Sequence, residues 1–152
     1  MHLRRFIYIS GGYSDNGNEP VRKVTMFDTF SLREEVVAEL IHARWDHSSI
    51  VLDDNLFAFG GMINESDYAG SIEMLNLLTK LAWTVLIEHD EKVQRTSAAV
   101  AAISANKIIV YGGLLVDRYK TSNGYLLDVS NKQLKPVLGK ADDLKFRTVT
   151  QT

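Results

Sequence analysis

The chain has no cysteine, which removes disulfide bridges, thiol nucleophiles and cysteine-ligated metal sites together. It also lacks a strong charge of either sign: 17 Lys and Arg stand against 19 Asp and Glu, a formal net charge of −2. No broad basic field favours nucleic acid or an anionic membrane surface, and the basic residues are scattered in pairs such as Arg4-Arg5 and Arg22-Lys23. Long apolar runs are missing too. The opening "MHLRRFIYISGGYS" holds an apolar run too short for the core of a secretory signal, and no stretch approaches membrane-spanning length. The expectation is a soluble cytoplasmic protein without nucleic-acid or membrane partners. Asn64-Glu65-Ser66 has the form of a glycosylation acceptor, but no secretory signal gives it weight.

Motifs for small-molecule chemistry are equally scarce. No phosphate-binding loop, dinucleotide fingerprint or nucleophile elbow occurs, because the glycines stand at the wrong spacing. His2, His42, His47 and His89 form no metal-ligand pattern. "DNGNE" at 15–19 suggests calcium but lacks the regularly spaced oxygens and distant acid of an EF-hand loop, and reads as a solvated turn. No metal and no cofactor are expected.

What the chain does have is a sentence written three times. An apolar strand runs into two glycines in "FIYISGG" (6–12), "FAFGG" (57–61) and "KIIVYGG" (107–113). The pairs Gly11-Gly12, Gly60-Gly61 and Gly112-Gly113 are 49 and then 52 residues apart. Self-similarity at such a period fixes the architecture ahead of any local reading. Upstream of the second pair, "RWDHSSIVLDDNLFAFGG" (44–61) is strand, polar turn, strand; "RTSAAVAAISANKIIVYGG" (95–113) repeats it. Each is a hairpin. Downstream come a polar loop, an apolar segment ending in an acid or amide ("VTMFD" 24–28, "IEMLN" 72–76, "GYLLD" 124–128), and a last apolar segment such as "LAWTVLIE" (81–88) or "LKPVL" (134–138). Each unit reads as four antiparallel strands, the pattern of a propeller blade. The glycines end a strand where the chain must turn sharply beside other backbone, a place that rewards positive φ and no Cβ.

These features resemble kelch repeats, whose hallmark is a strand ending in Gly-Gly, then an acidic-aromatic segment and a tryptophan. The middle unit matches best, with Arg44 and His47 before the hairpin, Gly60-Gly61, "IEMLN" and Trp83; the outer units keep the glycines with Phe27-Asp28 or Leu127-Asp128 but lack the tryptophan. The resemblance covers roughly residues 5 to 138. It implies an all-β fold, a partial kelch β-propeller of about three four-stranded antiparallel blades, with strands of the first in 5–40, the second in 43–88, the third in 94–138, and the opening strand of a next blade in 143–152. One segment resists. "SLREEVVAELIHARW" (31–45) carries a capping box, Ser31 with Glu34, and helical spacing of Leu32, Val36, Val37, Leu40 and Ile41. The repeat frame instead makes Val36–Leu40 the outer strand of the first unit, since tertiary context overrides propensity. Trp83 and Tyr111 read as packing within the blades, and His47 as packed or hydrogen-bonded there.

Three blades are fewer than the four to eight of a closed propeller. Two readings stay open: a piece of a larger propeller, or half of a six-bladed ring built as a homodimer, each tail 143–152 completing the first blade of the other copy. Functionally, the resemblance implies a protein-interaction scaffold, non-catalytic, with an unknown protein partner held by loops and strand starts around the channel. The candidates are Tyr13, Asp15, Asp67, Tyr68, Arg118 and Tyr119 in the loops after the glycines, and Arg44, Asp46, Arg95 and Arg147 at strand starts. Tyrosine and arginine are enriched at the energetic centres of interfaces. The family supplies ubiquitin-ligase receptors, actin-associated proteins and signalling scaffolds, among which the residues do not choose. The alternatives are a catalytic, sugar-processing propeller and a non-functional fragment of a longer kelch protein. Of the catalytic propellers, the galactose-oxidase type needs the absent cysteine, and "SDNG" matches a sialidase Asp-box only superficially.

Overall fold

A computed structural model describes residues 5–137. Among them the regular structure is all β, with no helix. The first sheet has three strands, β1 (Phe6–Ser10), β2 (Val24–Asp28) and β3 (Arg33–Val36), in that order. The second has four: β4 (Ser48–Leu52), β5 (Asn55–Phe59), β6 (Ile72–Asn76) and β7 (Trp83–Ile87). After the two-residue β8 (Arg95–Thr96), the third sheet takes β9 (Ala99–Ser104), β10 (Lys107–Tyr111), β12 (Gly124–Asp128) and β13 (Gln133–Pro136). The short β11 (Leu114–Leu115) pairs with β8. Every pairing is antiparallel between strands consecutive within a unit. The sheets stand as separate, open layers, and no closed barrel forms among the described residues. Segment 143–152, expected as an opening strand, lies outside them.

The middle sheet shows why its strands are apolar almost without alternation. On β5, Leu56 and Ala58 face the first sheet and join Val24, Leu40, Leu75 and Trp83 in one core. Phe57 and Phe59 face the other way and meet Ile108, Val110 and Leu127 of the third sheet in a second. Both faces of the sheet are covered, so both sets of side chains are apolar. The corresponding residues of β1 show the contrast. Ser10 pairs with Val24 as Phe59 pairs with Ile72, which aligns Ile7 with Leu56 and Ile9 with Ala58. Ile7 is 51% exposed and Ile9 56%, against 2% and 0% for their counterparts.

The segment with helical periodicity is a strand, but not over Val36–Leu40. The outer strand is Arg33–Val36, because the turn after β2 sets its register: Leu32 takes φ 56° and donates its amide to Asp28 O at 2.8 Å. All four residues of β3 are exposed. Past Val36 the chain leaves the ladder, and Val37, Ala38 and Leu40 pack into the core between the first two sheets. Of the apolar residues at helical spacing, Val37 and Leu40 thus serve a chain crossing between layers, whereas Leu32, Val36 and Ile41 are exposed. Trp83 belongs to the same joint, buried, with its indole Nε1 donating to Ala38 O at 2.7 Å.

Candidate protein-interaction face

The antiparallel order brings the post-glycine loops and the segments that precede β4 and β9 to one end of their sheets, since β5 and β10 finish where β4 and β9 begin. Backbone bonds tie these ends across successive sheets. Gly12 N donates to Arg44 O at 2.8 Å, Gly61 N to Arg95 O at 2.9 Å, and Ser97 N to Asp46 O at 3.0 Å. Two glycines are required by close approach. A Cβ on Gly11 (φ +63°) would lie 2.4 Å from Arg44 O, and one on Gly60 (φ +57°) 2.5 Å from Arg95 O. The glycines of the first two repeats are therefore the seats of the next repeat's arginine segment.

The arginines themselves turn inward. Arg44 is fully buried, its Nη1 donating to Gly60 O at 2.9 Å and its Nη2 to Ser71 Oγ at 2.8 Å and to the Glu73 carboxylate. Glu73, also fully buried, accepts from the amides of Ile41 at 2.8 Å and His42 at 3.1 Å. His42 Nδ1 stands 2.9 Å from the same carboxylate. Charge-assisted bonds to every polar atom are what make such a pair tolerable in the interior. Burial pushes the Arg44 guanidinium below its ordinary pKa, against the opposing pull of Glu73. Arg95 repeats the reach, with Nη1 on Gly112 O at 2.9 Å and Asn123 O at 3.1 Å. Tyr125 replaces the carboxylate, its ring centroid 5.0 Å from the guanidinium, and burial again dominates a downward shift. His47 fits beside the first joint, its Nε2 2.8 Å from Ser10 Oγ. Burial first, then the Arg44 charge, lowers its pKa to about 4 despite Glu73.

The expectation that Arg44 and Arg95 stand open to a partner is thereby corrected: both are buried, Arg44 on Gly60 O, Ser71 Oγ and Glu73, and Arg95 through its Nη1 on two carbonyls, with its Nε left unpartnered. Tyr68 is likewise buried, its backbone bridged to Met62. Tyr13, Asp15, Asp46, Asp67, Arg118 and Tyr119 are exposed at the loop end, and Arg147 lies outside the described residues. Their loops are held locally. Asn64 Oδ1 accepts from the amides of Ser66 and Asp67, both at 2.8 Å, while Asn64 Nδ2 donates to Asp67 Oδ2 at 2.6 Å. Asp117 Oδ1 accepts from Tyr119 N at 3.1 Å, and Leu115 N donates to Tyr119 O at 3.0 Å. Tyr13 packs on Trp45, ring centroids 4.6 Å apart, so the first loop touches the second sheet's entry segment. Sequence reasoning missed Glu73, Ser71 and Trp45. The signal for Glu73 was present as a lone carboxylate inside the apolar "IEMLN".

The fold and this face define an all-β repeat chain of stacked antiparallel sheets, consistent with part of a β-propeller. The chain is similar to alpha-scruin of Limulus polyphemus, a kelch-repeat protein, at 27% identity over 138 residues. That similarity takes in 86% of this chain and 14% of alpha-scruin's length. No family model matches.

Proposed function

We propose that this chain is a kelch-type protein-interaction scaffold of the cytoplasm that binds a protein partner at the loop end and performs no catalysis. One observation carries the reading. Exposed side chains from three different sheets, Tyr13, Asp46 and Asp67, and Arg118 with Tyr119, converge on one end whose loops are pinned by buried arginine and glycine joints. A rigid scaffold presenting variable loops is the usual geometry of a recognition surface. Similarity to alpha-scruin supports the same class.

Affinity capture with matched baits tests it. Wild-type chain, a loop-end variant (Tyr13→Ala, Asp67→Ala, Tyr119→Ala) and an opposite-end variant in the Asp53-Asp54 turn are compared. The expected outcome is a protein retained by wild type and the opposite-end variant and lost from the loop-end variant. Retention by all three baits, or by none, would contradict the reading.

A further inference from the structure

We infer that the partner held at the loop end is gripped through an arginine side chain, which stacks on the paired rings of Tyr13 and Trp45 where the first and second sheets meet. The inference rests on the loop end being the recognition face and names the chemistry that this face selects.

Both sheets build the site. Trp45 is fixed by a reciprocal pair of backbone bonds with Met62, at 3.0 and 2.8 Å. Its sheet is covered on both faces, yet the residue is only half-buried. Tyr13 is 44% exposed and meets Trp45 from the first sheet's loop. That loop is closed on itself. Tyr13 bridges to Pro20, Ser14 N donates to Glu19 O at 2.9 Å, and Gly17 N donates to Ser14 O at 2.7 Å. The two ring centroids are 4.6 Å apart and the planes are tilted by 49°. The rings are too close to admit a ligand between them, so what they offer is outer surface. Little ordering is needed on binding, because the platform already exists.

Two properties choose the ligand. The first is the ring face, which carries negative partial charge and attracts a cation within about 6 Å, arginine most often. This chain uses the contact elsewhere: the Arg95 guanidinium is 5.0 Å from the Tyr125 centroid, and that of Arg5 is 5.1 Å from the Phe6 centroid. Among the described residues no cation lies over Tyr13 or Trp45. The second is the surrounding charge. Asp46 follows Trp45 in the chain and Asp15 lies two residues from Tyr13; with Glu19, Glu65 and Asp67 they are all exposed carboxylates. Segments 13–19, 45–49 and 61–70, which carry these acids, contain no lysine or arginine. Of the nearby arginines, Arg44 is buried on Glu73 and Arg22 is turned to Leu40 O. A planar guanidinium lies flat on a ring and still donates from its edge to a carboxylate, whereas a lysine ammonium has no plane to stack. The occupant is therefore a partner segment that presents an arginine.

Short glycine–serine peptides with one central arginine, citrulline or lysine are titrated into the nitrogen-15-labelled full chain and followed by NMR. The chain has two tryptophans, so buried Trp83, whose indole Nε1 donates to Ala38 O, is an internal control. The arginine peptide should shift the Trp45 indole signal along a saturating curve and leave that of Trp83 in place. Citrulline keeps the shape and loses the charge, and should bind at least about fivefold more weakly. Asp46→Asn removes a carboxylate and suits the φ of 52° at that position. Tyr13→Leu keeps an apolar contact with Trp45 but removes the ring. Both variants should weaken the arginine peptide, with Asp46→Asn melting at the wild-type temperature. No shift at Trp45, equal affinity for arginine and citrulline, or affinity unmoved by both variants would overturn the site. Lysine binding as tightly as arginine would overturn the stacked guanidinium. If a partner captured through the loop end is still held after Asp46→Asn and Tyr13→Leu together, the site is overturned and the scaffold reading stands. Arginine-peptide binding with no partner captured would uphold the site and overturn the scaffold reading alone.

Discussion

Glu73→Gln is the sharpest perturbation of the joint between the first two sheets. The glutamate has no solvent, and its carboxylate serves Arg44 and the amides of Ile41 and His42 together. Glutamine keeps the volume and removes the charge. Its amide nitrogen must then point at one of these donors, and Arg44 is left buried without its counter-ion. Breaking a buried pair from one side costs about 3–5 kcal/mol, a large share of the roughly 5–15 kcal/mol that a domain has. His42 is half-exposed, so its imidazole adds little to that figure. Urea unfolding followed by tryptophan fluorescence reads the effect as a lower midpoint at unchanged slope. The double variant Arg44→Met, Glu73→Leu removes both desolvated charges but orphans Gly60 O and the Ile41 and His42 amides, so it should recover only part of the loss. A Glu73→Gln loss below about 1 kcal/mol would refute the idea that this pair pins the joint.

Three more outcomes follow from the same structure. His47, lowered to about 4 in the fold from 6.5, stays neutral there while the unfolded chain takes up a proton. Its contribution is therefore complete above pH 6.5 and is lost as pH falls toward 4, by about 2 kcal/mol once partial exposure is allowed for; in His47→Asn this component of the urea-midpoint profile should vanish. Gly61→Ala sets a Cβ 2.6 Å from His47 Cβ and 2.7 Å from Trp45 O at φ +89°, whereas Gly12→Ala at φ +100° meets nothing. Thermal melts should show the first losing roughly 2 kcal/mol more than the second, which carries backbone strain alone. Trp83→Phe removes the indole bond to Ala38 O and should cost about 1–3 kcal/mol by calorimetry; no change would mean that the joint does not depend on it.

Much of the fold is legible in the sequence because the glycine pairs mark strand ends at a fixed place in each unit, and the hairpins around Asp53-Asp54 and Ala105-Asn106 follow from them. The outer strand of the first unit is misplaced by sequence alone, since Val37 and Leu40 are apolar for an inter-sheet core that periodicity does not distinguish from a helix face. The loop candidates are legible only in part. Tyr13 and Tyr119 lie in loops that the motif locates, and their exposure follows. Arg44 and Arg95 look like surface cations because nothing in a linear reading shows Gly60 O, Ser71 and Glu73 converging from residues 16 to 29 positions away.

Hydrogen–deuterium exchange of the chain, alone and bound to a partner retained through the loop end, tests the scaffold reading most directly. Protection confined to 13–19, 62–68 and 115–119, the loops of three successive sheets, is the predicted footprint. Protection centred on the opposite turns at 53–54, 78–81 and 130–132, with the loops unchanged, would contradict it.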